Sequence, residues 1–326
     1  MIDLFIDTNV YLTFFHFSKD DLEELKKLAV AIKHDKIRLY VTEQIKSEFY
    51  RNRELKINDA IRNLQPLPKS FPQIFKENEQ QYKIIQHSIS SYEVALKEIL
   101  ATVQTNVKNN SFNADEIISE LFHSATCFEM TDEIYKKAKK RVTLGNPPGK
   151  DNSYGDAINW ESLLALFPNG ERLYFISADK DYTSPIDENA LMQFLDNEWI
   201  KNKSSKIHFY SRLSLFFKDN FPNIKLALDL EKEIDIEDLT NCWTFYSTHQ
   251  CLARLSKYNE FSKSQVNNII QAAIKNDQIY SIRGDSDVNY FFKNLHAQYS
   301  DLISDEFIEE FQKYYIIEEA EPVLNF

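Results

Sequence analysis

Short apolar runs alternate with longer amphipathic segments along the first 230 residues of this 326-residue chain. The runs predict strands at residues 2–6, 37–41, 173–176 and 207–210. The apolar spacing predicts helices at 19–34, after Thr42, at 78–122, at 131–142 and from 156 onwards. Strands that alternate with helices favour a parallel sheet built from βα units. In such sheets, functional residues gather where the strands end.

Carboxylates occur at several of these positions. Asp7 follows the first strand, Asp179 and Asp181 follow the third, and Glu48 and Asp156 lie near the starts of helices. Each acid alone is as well explained as a cap or turn residue. Together they would repel one another unless cations held them. Because all of these ligands are oxygens, the set predicts Mg²⁺ or Mn²⁺ rather than zinc.

Glycine is scarce and unevenly placed. The chain has 5 glycines, and three of them lie within residues 145–155, directly before Asp156. Either this segment is a tight turn between two helices, or it is a loop that brings a catalytic carboxylate close to a substrate.

Composition narrows the class of protein. No run approaches the roughly 18 apolar residues of a membrane span. Residues 1–7 contain two acids and no basic region, so we expect no secretory signal. The 3 cysteines suit a reducing compartment. We therefore expect a soluble, cytoplasmic protein without contact to a membrane.

Charge separates two parts of the chain. The net charge is −12, yet residues 231–326 hold 17 of the 50 acidic residues and only 8 of the 38 basic ones. The first 230 residues are therefore nearly balanced, and this balance leaves room for a basic surface around the acids.

Four segments carry a family resemblance, and they span about residues 1–215. They are FIDTNV at 5–10, Val41–Thr42 through Glu48–Phe49, GDAI at 155–158 and FISADKDY at 175–182. In order and context they resemble the motifs of PIN-domain nucleases, and the loop before Asp156 resembles a bacterial subfamily with a helical insertion.

The resemblance implies an α/β fold of three layers, α/β/α, with a central parallel sheet. It places a nuclease domain at 1–230 with a helical insertion at 70–142. Residues 231–326 would form a smaller, acidic, mainly helical module, with helices near 262–276, 286–296 and 304–315. The acidic segment 231–238 is expected to be a linker or a domain boundary.

The resemblance also implies the site residues. Asp7, Glu48, Asp156 and Asp179 match the acidic catalytic quartet, and Asp181 matches an auxiliary metal ligand. A two-metal site would place Asp7 as the bridging ligand. The small polar residues that match the supporting positions of the family are Thr8, Asn9 and Ser177.

Substrate contacts are expected from basic residues and one aromatic residue near the acids. They are Arg51, Lys140, Arg141, Lys150 and Tyr154. The alternative explanation for the lysine-rich segment before the loop is an ordinary solvated helix face. The module at 231–326 is acidic, so we expect it to serve as a homodimer contact, a protein-partner surface, a regulatory lid or a support for folding.

The sequence thus predicts a metal-dependent phosphodiester hydrolase. The preferred function is an endoribonuclease, with a toxin or phage-defence role as the family's habit suggests. The alternatives are a nuclease for structured or single-stranded DNA and a PIN-like scaffold without catalysis.

Overall fold

The computed structural model describes residues 1–16, 22–63, 71–149, 154–222 and 224–316. The chain forms two compact units, Met1–Ile224 and Lys225–Phe326.

The first unit contains a five-stranded parallel sheet of order β3-β2-β1-β4-β5. Its strands are β1 (Ile2–Ile6), β2 (Ile37–Thr42), β3 (Thr126–Phe128), β4 (Leu173–Ile176) and β5 (Ile207–Tyr210). The four predicted strands are confirmed. The strands β1 and β4 lie in the middle of the sheet and are apolar because both of their faces are covered.

In the described residues, nine helices complete the first unit, and a tenth, α10, begins the second unit. They are α1 (Thr8–Thr13), α2 (Leu22–Lys33), α3 (Glu43–Arg62), α4 (Glu79–Asn109), α5 (Asn113–Ser124), α6 (Asp132–Thr143), α7 (Tyr154–Leu166), α8 (Gln193–Lys203), α9 (Leu213–Asn220) and α10 (Ala227–Thr240). A short 3-10 helix, Gln73–Glu77, precedes α4. Helix α2 packs on α5 and α9, whereas α7 packs on α3, α6 and α8. The sheet with two sets of helices confirms the predicted α/β/α class.

Local capping explains why α3 starts where it does. The Thr42 hydroxyl accepts a hydrogen bond from the backbone N–H of Ile45 at 3.0 Å, as the sequence predicts. This cap at the end of β2 fixes the register of α3 and thereby the position of Glu48 six residues later.

The helix predicted over 78–122 is two helices instead. Asn110 adopts a left-handed conformation with φ of 50°, and this ends α4 before α5 begins. Asparagine tolerates that conformation better than most residues, so it serves here in place of a glycine.

The predicted helical insertion at 70–142 is also narrower than expected. Strand β3 lies inside that range and pairs with β2, with Tyr40 opposite Thr126. Helix α5 buries Ile118 and Leu121, so it too belongs to the core of the unit. Three residues are too few to show a strand's alternation, and this is why β3 escaped prediction.

The second unit is helical throughout its described residues. It holds α10 and five further helices, α11 (Phe245–Leu255), α12 (Lys263–Lys275), α13 (Asp277–Ser281), α14 (Ser286–Tyr299) and α15 (Asp305–Tyr315), with a 3-10 turn at Ser300–Leu302. The three predicted helices are confirmed, and Ser262 caps α12 by accepting from Gln265 N–H. Its core includes Leu252, Ile269 and Phe292.

Residues 231–238, expected to be a linker or boundary, are helical instead. They lie within α10, which packs on α11 and α12 and contributes Ile236 and Leu239 to the core of the second unit. The boundary between the units falls after Ile224 rather than after residue 230. In the described part of the chain, none of the helices combines the length and the apolar character that a membrane crossing requires.

Candidate active site

The site forms between β1 and β4, where the order of the strands changes direction. The chain passes from β1 to β2 on one side, whereas β4 pairs with β1 on the other side. Ligand sites of open α/β sheets lie at such a switch point, beyond the carboxyl ends of the strands. Ile6 is opposite Ile176, so Asp7 and Ser177 extend from neighbouring strand ends.

Ser177 connects two of the predicted acids. Its hydroxyl donates to Asp7 Oδ2 at 2.8 Å and accepts from the backbone N–H of Asp179 at 3.0 Å. Both Ser177 and Asp7 are buried. The hydroxyl therefore fixes the orientation of the Asp7 carboxylate and the course of the chain after β4.

Asp179 is held from two sides. Asn9 Nδ2 donates to Asp179 Oδ2 at 3.1 Å, and the backbone N–H of Asp181 donates to Asp179 Oδ1 at 2.8 Å. Asp181 in turn accepts from the backbone N–H of Gly149 at 3.1 Å. This last bond fastens the glycine-rich loop to the segment after β4.

Glu48 and Asp156 approach from helices rather than strands. Thr8 Oγ1 lies 3.5 Å from Glu48 Oε2, and Gln44 Nε2 lies 3.4 Å from the same oxygen. A Cβ atom on Gly155, the residue before Asp156, would stand 3.1 Å from that oxygen and 2.9 Å from Gln44 Nε2. A glycine at this position thus permits α7 to approach α3 closely.

The four acids act on one another. Burial raises the pKa of Asp7 well above its usual value, and the charges of Asp156, Asp179 and Glu48 raise it further, while the Ser177 hydrogen bond opposes them. Burial also raises the pKa of Tyr182, and the same four carboxylates add to that shift. The predicted quartet therefore lies around one electrostatic centre.

The donor set fits a divalent cation in its chemistry. It consists of carboxylates, three of which disfavour the charged form of the buried Asp7, and a cation would relieve this repulsion. In the described ranges, no three His, Cys, Asp or Glu side chains stand in a ready arrangement to hold a metal ion. The match between these residues and a divalent cation therefore rests on the type of ligand and on the negative charge, and not on coordination geometry.

A family model described as a PIN domain matches residues 4–182, from β1 to the segment after β4. The chain belongs to the PIN-domain family. Membership generally indicates a metal-dependent nuclease, and PIN domains typically use divalent metals. No curated protein and no solved structure shows significant similarity to the chain.

One predicted substrate contact of this PIN domain is wrong. Arg141 is buried, and it donates to Glu161 at 2.7 Å, to Glu198 at 2.6 Å and to the carbonyl of Pro147 at 2.6 Å. These charge-assisted hydrogen bonds occupy the guanidinium within the fold, so it is not presented to a phosphate of a substrate. Arg141 therefore holds the glycine-rich loop on α7 and α8.

The other predicted substrate residues differ in placement. Arg51 and Lys140 are exposed on α3 and α6. Tyr154 is half-buried and packs against the cluster formed by Ala138, Ala157 and Ile158. The predicted contact Lys150 lies outside the described residues.

A cavity of about 430 Å³ adjoins the acids of the PIN domain. Asn9 and Asp179 form part of its wall, and the exposed side chains of Lys56 and Lys180 stand at its edge. Neither lysine has an ion-pair partner among the described residues. The cavity thus places one carboxylate, Asp179, near two lysines.

Sequence reasoning missed three residues near the centre. Gln44 contacts Glu48. Tyr182 is fully buried and donates from its hydroxyl to the Asp156 carbonyl at 3.2 Å. Tyr11 is buried beside Asp7, whose charge adds to the effect of burial in raising its pKa. For Gln44, the i, i+4 spacing to Glu48 is a usable signal.

Proposed function

We propose that this protein is a divalent-metal-dependent endoribonuclease. The observation that supports the proposal is that the charges of Glu48, Asp156 and Asp179 all act on the buried Asp7, which follows β1 beside β4, and add to the effect of burial in raising its pKa. Such a crowded acidic centre is unfavourable for folding on its own, so its retention favours a cation-dependent role. This argues against a scaffold without catalysis.

The four quartet carboxylates would hold the metal, as one or two Mg²⁺ or Mn²⁺ ions, and Asp181 would add an outer contact. Bound ions of this kind activate water and stabilise the leaving oxygen of a phosphodiester. The chain's own part is positioning. Ser177 orients Asp7 through its 2.8 Å hydrogen bond, and Asn9 orients Asp179.

The substrate is a nucleic acid in this proposal. Lys56 and Lys180 border the cavity beside Asp179, and Lys140 is exposed on α6, which packs on α7, the helix that carries Asp156. Positive side chains at such positions neutralise phosphates. The preference for RNA and a role as a toxin or in phage defence rest on the resemblance described above.

Cleavage of end-labelled substrates tests the proposal. Single-stranded RNA, transfer RNA and single-stranded DNA are incubated with Mn²⁺, Mg²⁺ or EDTA. We expect cleavage of RNA that EDTA abolishes, and at least a 100-fold loss in Asp7→Asn and Glu48→Gln. The matched control is Glu54→Gln, an exposed glutamate on the same helix α3 as Glu48, which should retain full activity.

Each other outcome changes the conclusion in a defined way. Cleavage of DNA alone would keep the metal-dependent nuclease and refute the preference for RNA. Equal activity in Asp7→Asn and the wild-type protein would refute the assignment of the site. Inactivity on every substrate with either metal would favour the scaffold.

A further inference from the structure

Helix α4 is long, and the described residues of the chain do not bury it. All 31 of its residues, Glu79–Asn109, are described, and none is buried. Ile85 and Tyr92 are exposed, and Ile99 is 60% exposed. Most helices in proteins gain their stability by packing an apolar face, so we expect another surface to cover this face of α4.

The exposed face has the spacing of a coiled coil. Apolar residues recur at alternating intervals of three and four through four heptads. The first set of heptad positions is Tyr82, Ile89, Leu96 and Val103, and the second set is Ile85, Tyr92, Ile99 and Asn106. The first set is half-buried, whereas Ile85, Tyr92 and Ile99 in the second set are exposed. The seam thus runs from Tyr82 to Asn106, about 36 Å along the helix, and its second half borders a groove of the same chain.

We propose that α4 pairs with α4 of a second copy of this chain. The seam is self-complementary, as an interface about a two-fold axis requires. Asn106, the one polar residue in it, would set the register, as a single buried asparagine does in coiled coils.

The charges on α4 favour a second copy over a charged partner. The positions that flank the seam are Gln81, Gln86, Ser88, Glu93, Ala95, Leu100, Thr102 and Val107, and only Glu93 among them is charged. Two identical helices therefore approach without facing rows of like charge. The helix as a whole carries three acidic and three basic residues, in a chain of net charge −12.

Sedimentation velocity from 1 to 200 µM tests this pairing on the full chain. We expect a concentration-dependent rise from 38.4 kDa to twice that mass. Ile99→Glu should weaken the dimer at least 10-fold, because it places a charge in the seam. The control is Ile84→Glu, which changes the same residue type at 59% exposure but lies outside the seam. Tyr92→Glu and its control Val94→Glu repeat the comparison away from the groove that Ile99 lines.

Circular dichroism checks that each variant is folded. A wild-type protein that stays monomeric at 200 µM would overturn the proposal. A dimer that responds equally to seam and control variants, or to neither, would also overturn it and place the contact elsewhere. Nuclease activity is not part of this readout, so the result is independent of the proposed function and of the predicted partner surface at 231–326.

Discussion

The reassignment of Arg141 makes a quantitative prediction about stability. In Arg141→Met the chain loses a buried guanidinium that bonds Glu161, Glu198 and the Pro147 carbonyl. Glu161 is then left with a nearly buried charge, and the Glu198 side chain remains only 26% exposed. Removal of one partner of a buried ion pair typically costs about 3–5 kcal/mol. Because Glu198 regains some water, we expect about 3 kcal/mol.

The assay is urea unfolding followed by tryptophan fluorescence. Trp160 and Trp199 are fully buried in the first unit, whereas Trp243 in the second unit is exposed, so the emission shift reports the first unit. For a unit of this size, a loss of about 3 kcal/mol in the free energy of unfolding corresponds to a fall of roughly 6–12 °C in Tm. The neighbouring variant Lys140→Met is the control, and it should change the free energy of unfolding by less than about 0.5 kcal/mol.

The two explanations of Arg141 predict opposite results. If Arg141 contacted a phosphate, Arg141→Met would weaken substrate binding and leave the free energy of unfolding unchanged. A fall of under about 1 kcal/mol in Arg141→Met, together with weaker binding of single-stranded RNA, would refute the structural role.

Three further predictions concern the acidic centre. Gly155→Ala should reduce cleavage roughly 10–100-fold, because the new Cβ would lie 3.1 Å from Glu48 Oε2 and push that oxygen aside. The Tm should stay nearly constant, since only the flexible ends of side chains must move. Tyr11→Phe should leave the free energy of unfolding unchanged or raise it by up to about 1 kcal/mol in urea unfolding, because the buried hydroxyl has no hydrogen-bond partner among the described residues. The pKa of Asp7 is raised in the fold, so the native state binds more protons than the unfolded state. The stability of the metal-free protein should therefore fall as pH rises through that pKa, and thermal melts of Asp7→Asn should lack this part of the slope.

Each of these predictions has a clear contrary result. Full activity in Gly155→Ala would mean that the close approach of α7 to α3 is unimportant. A loss of more than about 1 kcal/mol in Tyr11→Phe would reveal a hydrogen bond for that hydroxyl. Parallel pH profiles for Asp7→Asn and the wild-type protein would show that Asp7 titrates normally.

The sequence predicted the sheet well where the signal is local. Strand β4 is apolar throughout and β1 is apolar apart from Asp3, and each ends directly before a polar segment, so their predicted bounds are confirmed. The parallel arrangement then brings Asp7 near Ser177 and Asp179 by topology alone. The placement of Glu48 depended on the Thr42 cap, which is also a local pattern. Strand β3 failed because its evidence is pairing with β2 and not its own sequence.

The basic residues show what a sequence cannot reveal. Arg53 and Arg141 both appear as positive charges near the acids, yet both are buried, and each bonds a carboxylate distant in sequence. Arg53 binds Asp115 through two nitrogens at 2.5 Å, a planar fork geometry that lysine cannot reproduce. The spacing of residues along the chain does not predict which carboxylate such an arginine will bind.

The burial of Arg53 and Arg141 bears on substrate binding. Since these two arginines hold the fold, the positive charge offered to a nucleic acid beside the cavity comes from exposed lysines such as Lys56 and Lys180. Lysine acts on phosphate as a point charge and carries little base specificity. Binding should therefore depend strongly on salt and weakly on sequence, and Lys56→Gln with Lys180→Gln should reduce the salt dependence of affinity for single-stranded RNA by about 1.4 in the logarithmic slope. An unchanged slope in that double variant would place the phosphate contacts elsewhere on the PIN domain.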